Sequence, residues 1–535
     1  MPLHEAIASV LGLLIVAMVV AMVVRRLRLP YTVVLVLAGL ALAGSRAFPS
    51  LKLTHEQYRA ICYYLLLPPL LFEAALKLKW EQFTRNAGAI FTLALPGTFV
   101  NIGVVALLCH GLLGLPLIQA LLLGAIISPT DPISVLGIFR ELGVARRLSV
   151  LVEGESLFND AVGLVVFTVL LAAAESGERV SIAAGIFSFA VVTVGGIIVG
   201  AVLGLVASRL TRTIDDHLIE ITLSTTLAYG AFLAAEHITI GGHHFSGVIA
   251  VVVAGLLIGN YGQATGMSAK TVVALHTFWE YTAFVVNSLI FLLIGMELGV
   301  LQLFPKPAPL IGFVILVYII SVFARACVSY GAGHLISRVG ERVPMSWRHL
   351  LVWAGLKGAL SMIMVLQVPA RLRLWHGADF LLPATFGVVF FSLVLQGLSV
   401  RWGVARLGLV RRSKAALEFE RRVAEMIAAR AALAALHSLR DSHVLTLRLH
   451  DSLTKPYLEQ TRALEEEIDR LHRERRELER WQVAEARRAA YHAQKRALLD
   501  AFHRGLISAE TFDSLVTDLD AQREQFEAES EASEW

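Results

Sequence analysis

The fold is decided by Gly154-Glu155-Ser156-Leu157-Phe158-Asn159-Asp160-Ala161-Val162-Gly163, a stretch that opens an apolar run of membrane-spanning length. A charged side chain at the centre of a bilayer costs at least ~2.5–3.5 kcal/mol. On a helix, Glu155 and Asn159 share one face. Ser156 and Asp160 form the adjacent pair. Such residues are kept where they contact an ion, a proton or a partner charge, so this helix is the candidate functional element.

Composition places the chain among helical membrane proteins. Of its 535 residues 56% are hydrophobic, and the mean hydropathy is +0.66. The apolar residues come in blocks of about 20, the length of a membrane-spanning helix, whereas a transmembrane barrel would show short alternating segments. A net charge of +4 is too small to indicate a nucleic-acid partner. Cys62, Cys109 and Cys327 lie in apolar runs without a metal-type pairing, so we interpret them as packing residues.

Thirteen apolar segments are predicted as transmembrane helices, which makes the chain an all-α polytopic membrane protein. They cover about residues 6–24, 30–45, 57–76, 87–110, 117–139, 148–174, 181–208, 217–236, 244–260, 272–300, 308–336, 347–369 and 380–400. Basic residues follow the first segment and no small-residue cleavage site does, so a signal peptide is not favoured. The predicted cytoplasmic loops hold about twice as many Lys and Arg residues as the outer loops. This bias predicts an outer N-terminus and a cytoplasmic C-terminus, in the inner cell membrane.

The composition changes near residue 411, which divides the chain into a transmembrane domain, 1–405, and a charge-dense tail, 411–535. The tail has no apolar run of spanning length. It is predicted to be a cytoplasmic helical domain that is regulatory or supports a dimer, and it could bind a regulatory ligand. Ser452–Pro456 is predicted as a turn because a proline limits the helix before it. A short stripe predicts a helical hairpin or a brief coiled coil: Leu464, Ile468, Leu471 and Leu478.

Two of the predicted helices are interrupted at matching places. In the fifth, Ser128-Pro129-Thr130-Asp131-Pro132 removes two backbone donors, so the helix should unwind there. The twelfth contains Gly355-Leu356-Lys357-Gly358-Ala359-Leu360-Ser361, in which a lysine lies between two glycines. Its ammonium can balance the negative ends of half-helices. Interrupted helices at corresponding positions of two repeats are typical of transporter sites. We therefore expect two inverted six-helix repeats joined by the seventh helix. A proline kink capped by Asp131 is the alternative.

Other charges also lie in predicted helices. Glu73 follows an apolar run and could lie within the bilayer or at its cytoplasmic edge beside Lys77. Arg325 stands in the middle of the eleventh helix and needs a partner, for which Glu155 is the natural candidate. Pairing would neutralise both and leave Asp160 as the titrating group. An interfacial position is the simpler interpretation for six residues near predicted helix ends: Glu220, Glu236, Glu280, Glu297, His110 and His276.

Four motifs in this order resemble the cation:proton antiporter-1 family, which includes the NhaP-type prokaryotic sodium/proton antiporters and the animal sodium/hydrogen exchangers. They are Pro129-Thr130-Asp131-Pro132, Glu155-Ser156-Leu157-Phe158-Asn159-Asp160, Phe323-Ala324-Arg325-Ala326 and Gly355-Leu356-Lys357-Gly358-Ala359. The resemblance covers about residues 1–405 and is specific because the motifs occur together. It implies thirteen helices in which the unwound fifth and twelfth cross. It also implies a homodimer, in which a core domain moves against a dimerisation domain.

The resemblance implies a role for each motif residue. The implied cation- and proton-binding set is Asp160, Asn159, Glu73, Ser156, Thr130 and Asp131. Asp160 resembles the family's ion- and proton-carrying aspartate. Glu73, Ser156 and the Thr130 backbone match positions that help hold the metal cation with it in NhaP-type members. Asp131 matches the aspartate of the unwound helix.

The other motif residues carry structural charges in the family. Glu155 and Arg325 resemble its structural ion pair. The Asn-Asp pair is similar to that of electroneutral one-for-one exchangers. Lys357 is a departure, since the family often has arginine there. Lysine keeps the charge but loses the planar guanidinium, so the geometry of the twelfth helix and the pH response can differ.

The mechanism can also be argued without the family. A carboxylate removed from water holds a proton more readily unless a cation compensates its charge. Oxygen ligands suit a hard cation such as Na⁺. If the site can change the membrane face to which it is open only while it holds a cation or a proton, the two substrates compete for Asp160 and are exchanged across the membrane. The expected partners are these two substrates, the lipid bilayer and a second copy of the chain, with no cofactor.

We weigh several other functions against sodium/proton antiport. Li⁺ or K⁺ could be carried instead, and a potassium/proton antiporter regulated by the tail is the main alternative. An ion channel is less favoured because no repeated filter sequence occurs, and an ion-binding sensor is also less favoured. An enzyme is not expected, because His55-Glu56 lacks a second histidine at the zinc-helix spacing and no Gly-x-Ser-x-Gly motif occurs.

Overall fold

The computed structural model describes most of the chain. The described residues are 3–27, 31–45, 57, 60–176, 182–214, 216–240, 242–300, 307–339, 343–375, 378–409, 414–474 and parts of 490–519. The chain divides into two units, Met1–Arg411 and Arg412–Trp535, and each is considered by itself.

The first half of the larger unit is helical. Its elements are α1 (Leu3–Leu27), α2 (Tyr31–Ser45), a π-helical turn (Ile61–Leu66) that leads into α3 (Leu67–Lys77), α4 (Trp80–Arg85), α5 (Ala87–Leu113), α6 (Leu117–Ile126), α7 (Ile133–Leu142), α8 (Arg146–Ser176), α9 (Ile182–Leu210), a 3-10 turn (Thr211–Thr213) and α10 (His217–His237).

The second half of this unit adds helices and two short antiparallel hairpins. Its elements are β1 (Thr239–Ile240), β2 (His243–His244), α11 (Gly247–Leu257), a π-helical turn (Ile258–Gly262), α12 (Gln263–Thr265), α13 (Ala269–Val300), α14 (Pro307–Val339), α15 (Met345–Trp353), α16 (Ala359–Gln367), α17 (Ala370–Arg373), β3 (Leu374–Trp375), β4 (Ala378–Asp379), α18 (Leu381–Phe391), a π-helical turn (Ser392–Gln396) and α19 (Gly397–Arg406).

The helices of this unit have the composition of membrane-spanning segments. Within the described residues, seven are long and apolar enough to cross a bilayer: Ala87–Leu113, Arg146–Glu175, Ala183–Thr213, His217–His237, Gly247–Thr265, Ile311–Ser337 and Leu381–Arg406. α9 exposes large apolar side chains such as Ile186 and Phe187, as a helix in lipid does. Helical residues fall in each of the thirteen predicted segments. The number of membrane-spanning segments itself stays a prediction.

α2 and α13 pack closely through two glycines. A Cβ on Gly39 would overlap the backbone oxygen of Leu292, and a Cβ on Gly295 would overlap that of Val36. The two backbones are therefore in contact, in the way that small residues allow in membrane helix pairs. This contact fixes α2 against the helix that also packs on α3 and α16.

Gly295→Ala should destabilise the protein by about 1–3 kcal/mol, because the added methyl forces two packed backbones apart. Gly103→Ala is the matched control on α5, where a Cβ meets nothing within 4 Å. It should be neutral or stabilise by up to about 1 kcal/mol, since alanine is the better helix former. Thermal unfolding of the detergent-solubilised protein measures both, and equal effects of the two variants would contradict the packing argument.

The predicted fifth and twelfth helices are each broken in the middle. Residues 127–132 separate α6 from α7, and residues 354–358 separate α15 from α16. The first break follows from Pro129 and Pro132, which cannot donate backbone hydrogen bonds. The second break holds Gly355 and Gly358, which weaken a helix. Both interruptions predicted from the sequence are present.

The smaller unit contains a helical hairpin, α20 (Lys414–Asp441) and α21 (Leu447–Glu474). Phe419 and Ile468 pack together in its core, and Leu464 is also buried. Of the predicted stripe, the side chain of Leu471 and all of Leu478 lie outside the described residues. The turn predicted at Ser452–Pro456 is wrong, because α21 runs through Pro456. A proline lacks one backbone hydrogen bond, and here the packed helix tolerates that loss.

Candidate ion-binding site

The two helix breaks meet and satisfy each other's backbone groups. The backbone N–H of Asp131 donates to the carbonyl oxygen of Leu356 over 2.7 Å. The Lys357 Nζ donates to the carbonyl oxygen of Ser128 over 3.1 Å. A Cβ on Gly358 would lie 2.6 Å from the Cβ of Asp131, so glycine permits this approach. We call the place where the two breaks meet the crossing. There the Lys357 ammonium lies at the end of the half-helix α6, where the last carbonyl groups carry partial negative charge.

Asp131 caps the second half of the broken fifth helix. Its Oδ1 accepts a hydrogen bond from the backbone N–H of Ile133 over 3.0 Å. This is the capping contact expected at the first turn of a helix, and it places negative charge at the positive end of α7. The capping contact and the unwound backbone, which the sequence analysis set against each other, therefore occur together.

Asp160 projects from α8 towards this crossing. It interacts with the backbone N–H of Thr130, and its charged neighbours are Asp131, Glu155 and Lys357. Its Oδ1 is buried and has no hydrogen-bond partner among the residues that the structure describes. A buried carboxylate oxygen of this kind is costly unless a proton, a water or an ion satisfies it.

Asn159 holds the helix next to the break in place. Its Oδ1 accepts from the Thr98 hydroxyl over 2.8 Å. Its Nδ2 lies 3.2 Å from the carbonyl oxygen of Ser128, 3.4 Å from the Thr130 Oγ1 and 3.3 Å from the Glu155 Oε1. The amide therefore joins α5, α8 and the break between α6 and α7.

Glu155 and Arg325 form a buried ion pair. The Arg325 Nη1 and Nη2 donate to the two carboxylate oxygens of Glu155 over 2.7 and 2.8 Å. The Arg325 Nε donates to the carbonyl oxygen of Leu351, just before the second break. Both side chains are almost fully buried, at 7% and 1% exposure. A two-point geometry of this kind is the strongest form of an arginine–carboxylate contact.

The remaining candidates fall in two places. The Ser156 hydroxyl lies 2.9 Å from that of Thr130, so Ser156 belongs to the crossing. Glu73 is buried on α3 but pairs with Lys77 one turn along the same helix. Its other charged neighbours are Glu280 and Arg140. In this conformation Glu73 therefore belongs to a separate charged cluster.

The sequence analysis did not single out several buried polar side chains around the crossing. Thr98 and Asn101 on α5 contact Asn159 and Ser128, and the Ser392 hydroxyl accepts from the backbone N–H of Lys357. The signal for Thr98 and Asn101 was weak, because single hydroxyls and amides are common in apolar helices. Ser392 could have been noticed only by knowing which helix packs on the second break.

Thr98→Val should lower the free energy of unfolding by about 1–2 kcal/mol, because the buried Asn159 Oδ1 loses the hydrogen bond that links it to α5. Thr92→Val on the same helix is the control, since the Thr92 hydroxyl bonds only its own helix at Gly88 in the described contacts. Thermal unfolding of the detergent-solubilised protein compares the two, and an equal response would contradict the proposed link.

Oxygen atoms predominate around Asp160. They come from the carboxylates of Asp160 and Asp131 and from the hydroxyls of Thr130 and Ser156. No group of three or more His, Cys, Asp or Glu residues could hold a metal ion within the described ranges. An oxygen set with few charges suits a weakly bound monovalent cation better than a resident transition metal.

A bundle of apolar helices, two of them broken and meeting around a carboxylate, defines the chain as a secondary transporter. A family model described as sodium/hydrogen exchanger, transmembrane, matches residues 13–406, so the chain belongs to the sodium/hydrogen exchanger family. This confirms the resemblance inferred from the four motifs. The members of the family are secondary transporters and not enzymes.

Individual relatives agree with this membership. The chain is 39% identical to the Na(+)/H(+) antiporter ApNhaP of Aphanothece halophytica over 386 residues, 72% of this chain and 70% of that one. It is 33% identical to the Na(+)/H(+) antiporter NhaG of Bacillus atrophaeus over 517 residues, 95% of each chain, so this similarity includes most of the tail. The sodium proton antiporter MjNhaP1 of Methanocaldococcus jannaschii shares the fold, with a TM-score of 0.64 at 19% identity over 76% of this chain and 99% of that one.

Proposed function

We propose that the protein exchanges Na⁺ for H⁺ across a cell membrane, and that both substrates compete for Asp160. The observation that carries the proposal is the position of this carboxylate. It faces the meeting point of two helix breaks, with a buried oxygen that has no protein partner in the described residues. Either a proton or a cation can satisfy that oxygen, but not both at once. Na⁺ is the cation named for the relatives.

The cation is proposed to bind between Asp160, the Ser156 hydroxyl and the Thr130 backbone, with Asn159 and Asp131 fixing the geometry. The short Thr130–Ser156 contact supports this set, since it brings two neutral oxygens to the break. Glu73 is proposed as a further cation contact. Because it pairs with Lys77 here, a cation at Glu73 would take the place of the lysine ammonium.

Exchange is proposed to be electroneutral, one cation for one proton. The amide of Asn159 is engaged with neutral and charged partners and cannot carry a proton across, which leaves Asp160 as the carrier. Glu155 is compensated by Arg325. Lys357 is proposed to balance the half-helix end at Ser128.

The proposed architecture has thirteen membrane-spanning segments in residues 1–405. They form two inverted repeats of six helices, which the seventh helix joins. The breaks in the fifth and twelfth segments support this order, because they occupy equivalent places in the two repeats. We also propose an outer N-terminus, a cytoplasmic regulatory tail at 411–535, and a homodimer in the inner cell membrane.

Proton movement in proteoliposomes tests the function. The purified chain is reconstituted with an internal pH dye, and Na⁺, Li⁺ or K⁺ is added in turn. We expect Na⁺ to drive proton movement that saturates and requires the counter-ion, with no dependence on membrane voltage. Proton movement driven by K⁺ alone would favour the potassium/proton alternative. Cation flux without proton movement would overturn antiport.

A further inference from the structure

A cavity of about 430 Å³ lies beside the helix that carries Asp160. Its lining comes from three elements: the π-helical turn (Tyr63 and Tyr64), the α8 helix (Leu164 and Thr168 among others) and the end of α16 (Gln367). The Gln367 Nε2 is buried without a hydrogen-bond partner in the described part of the chain. The cavity is large enough for water, and a water molecule there can accept the hydrogen bond that the Gln367 amide offers.

The cavity follows the same face of α8 as Asp160. Leu164 and Thr168 are four and eight residues further along, and Phe167 and Leu171 fall on this face as well. Leu164, the lining residue of α8 nearest to Asp160 in sequence, is therefore about 6 Å from it along the helix axis. The charges of Glu73 and Lys77 act on Glu153, which precedes Asp160 on α8, so the cavity and this cluster lie on the two sides of Asp160 along the helix.

Tyr63 lines this cavity, and residues outside the cavity hold its side chain in place. Its ring packs edge-on against Tyr64 and Phe232, with centroids 5.1 and 5.3 Å apart. Its hydroxyl donates to the Glu236 Oε1 over 3.1 Å. The same oxygen accepts from the backbone N–H of Gly247 over 3.3 Å, which fixes the carboxylate at the junction of α10 and α11.

The wide turn that presents Tyr63 has a local cause. Pro68 and Pro69 lie two and three residues after it and remove two backbone donors, so the chain before them adopts π-helical geometry instead of continuing the α-helix. Single π-helical turns of this kind often occur at functional sites. A second contact from α10 holds the same turn, the Tyr229 hydroxyl donating to the carbonyl oxygen of Leu65 over 2.9 Å.

We infer that this cavity is the route by which the cation reaches Asp160 from one face of the membrane, and that Tyr63 is a positioning residue that Glu236 holds against the wall to keep the route open. The inference rests on the proposed function and adds to it the path and its gate. Without its anchor, the Tyr63 ring is free to rotate into the cavity and narrow it. Glu236, which the sequence analysis treated as an interfacial residue, thus acts through Tyr63.

Sided thiol labelling tests the route. Thr168→Cys places a thiol in the cavity wall, and a membrane-impermeant cationic methanethiosulfonate is added to either face of reconstituted vesicles. We expect modification from one face only, followed by a loss of exchange of at least about tenfold relative to the same variant before labelling. The wild-type protein, with Cys62 and Cys109 buried and Cys327 partly buried, controls for other thiols. Modification without loss of exchange, or no modification from either face, would overturn the route.

The modification rate also tests the role of Tyr63. In the Thr168→Cys background, Tyr63→Phe should slow modification about fivefold and raise the KM for the cation by a similar factor, with kcat changed less than about twofold. Tyr229→Phe is the matched control, since it removes a hydrogen bond to the same turn from outside the cavity, and it should leave the rate unchanged. Glu236→Gln keeps an acceptor for Tyr63 and should behave as the parent, whereas Glu236→Ala should behave as Tyr63→Phe.

The outcomes distinguish a failure of this inference from a failure of the proposed function. If the wild-type protein shows no cation-driven proton movement, the proposed function fails, although the labelling pattern still reports on the cavity. If exchange is present and Tyr63→Phe labels as fast as the parent, or faster, the positioning role fails alone. Equal slowing by Tyr63→Phe and Tyr229→Phe would indicate general loosening of the turn and would also overturn it.

Discussion

Asp160→Asn should abolish cation-driven proton movement and reduce it to the level of empty vesicles. Asparagine has nearly the shape of aspartate but neither binds a proton in this pH range nor attracts a cation by charge. The interaction of Asp160 with the backbone N–H of Thr130 can be kept by the amide oxygen, so the crossing should stay folded. The variant should therefore be at least as stable as the parent, because a buried carboxylate no longer has to be accommodated.

The control for this prediction is Asp216→Asn. Asp216 caps α10, where its side chain accepts from the backbone N–H groups of Leu218 and Ile219, and asparagine caps nearly as well. Transport by this variant should equal that of the parent. Size-exclusion profiles and thermal unfolding of both variants verify folding. Exchange retained by a well-folded Asp160→Asn protein would refute the assignment of the carrier.

Breaking the buried ion pair should have the largest effect on stability. Glu155→Gln leaves the Arg325 guanidinium without a counter-charge in a nearly water-free position, which is expected to cost about 3–5 kcal/mol. Arg325→Met should cost a similar amount, because the Glu155 carboxylate is then uncompensated. The double variant should recover much of the loss, since two neutral side chains of similar size remain. The recovery distinguishes a charge effect from lost packing.

The exposed pair of Arg401 and Glu141 provides the matched comparison. Both side chains are about half exposed, so Arg401→Gln should change the free energy of unfolding by less than about 1 kcal/mol. Thermal unfolding in detergent measures all four variants under one condition. A double variant as unstable as the single ones, or a loss at Arg401 equal to that at Arg325, would contradict this account.

The features that the sequence predicted are those with a strong local physical signal. Prolines and glycines inside apolar segments marked both breaks, because these residues disrupt a helix whatever surrounds them. The ion pair of Glu155 and Arg325 could be anticipated because each charge is costly alone in an apolar helix and few partners are available. The role of Asp160 was predicted both from its place as the uncompensated carboxylate and from the family motif, that of Asn159 from the motif alone, and both roles stay proposals.

The features that the sequence did not predict depend on which surfaces meet. Thr98 and Ser392 resemble ordinary small polar residues of membrane helices until the structure brings them to Asn159 and Lys357. Pro456 was expected to end a helix by a local rule, but the packed hairpin of the tail carries α21 through it. For Glu73, proximity in sequence correctly indicated Lys77, while its place in a charged cluster with Glu280 and Arg140 required the fold.

The mutual hydrogen bonds of the two breaks constrain how the protein can move. Separating Asp131 from Leu356, or Lys357 from Ser128, would leave bare amide, ammonium and carbonyl groups in apolar surroundings, each costing about 1–3 kcal/mol or more. Both interrupted helices should therefore shift together as one rigid piece, with the flexing confined to the loops that tether them. Amide deuterium uptake at the crossing would then be slow and equal in both segments, even while the protein is turning over.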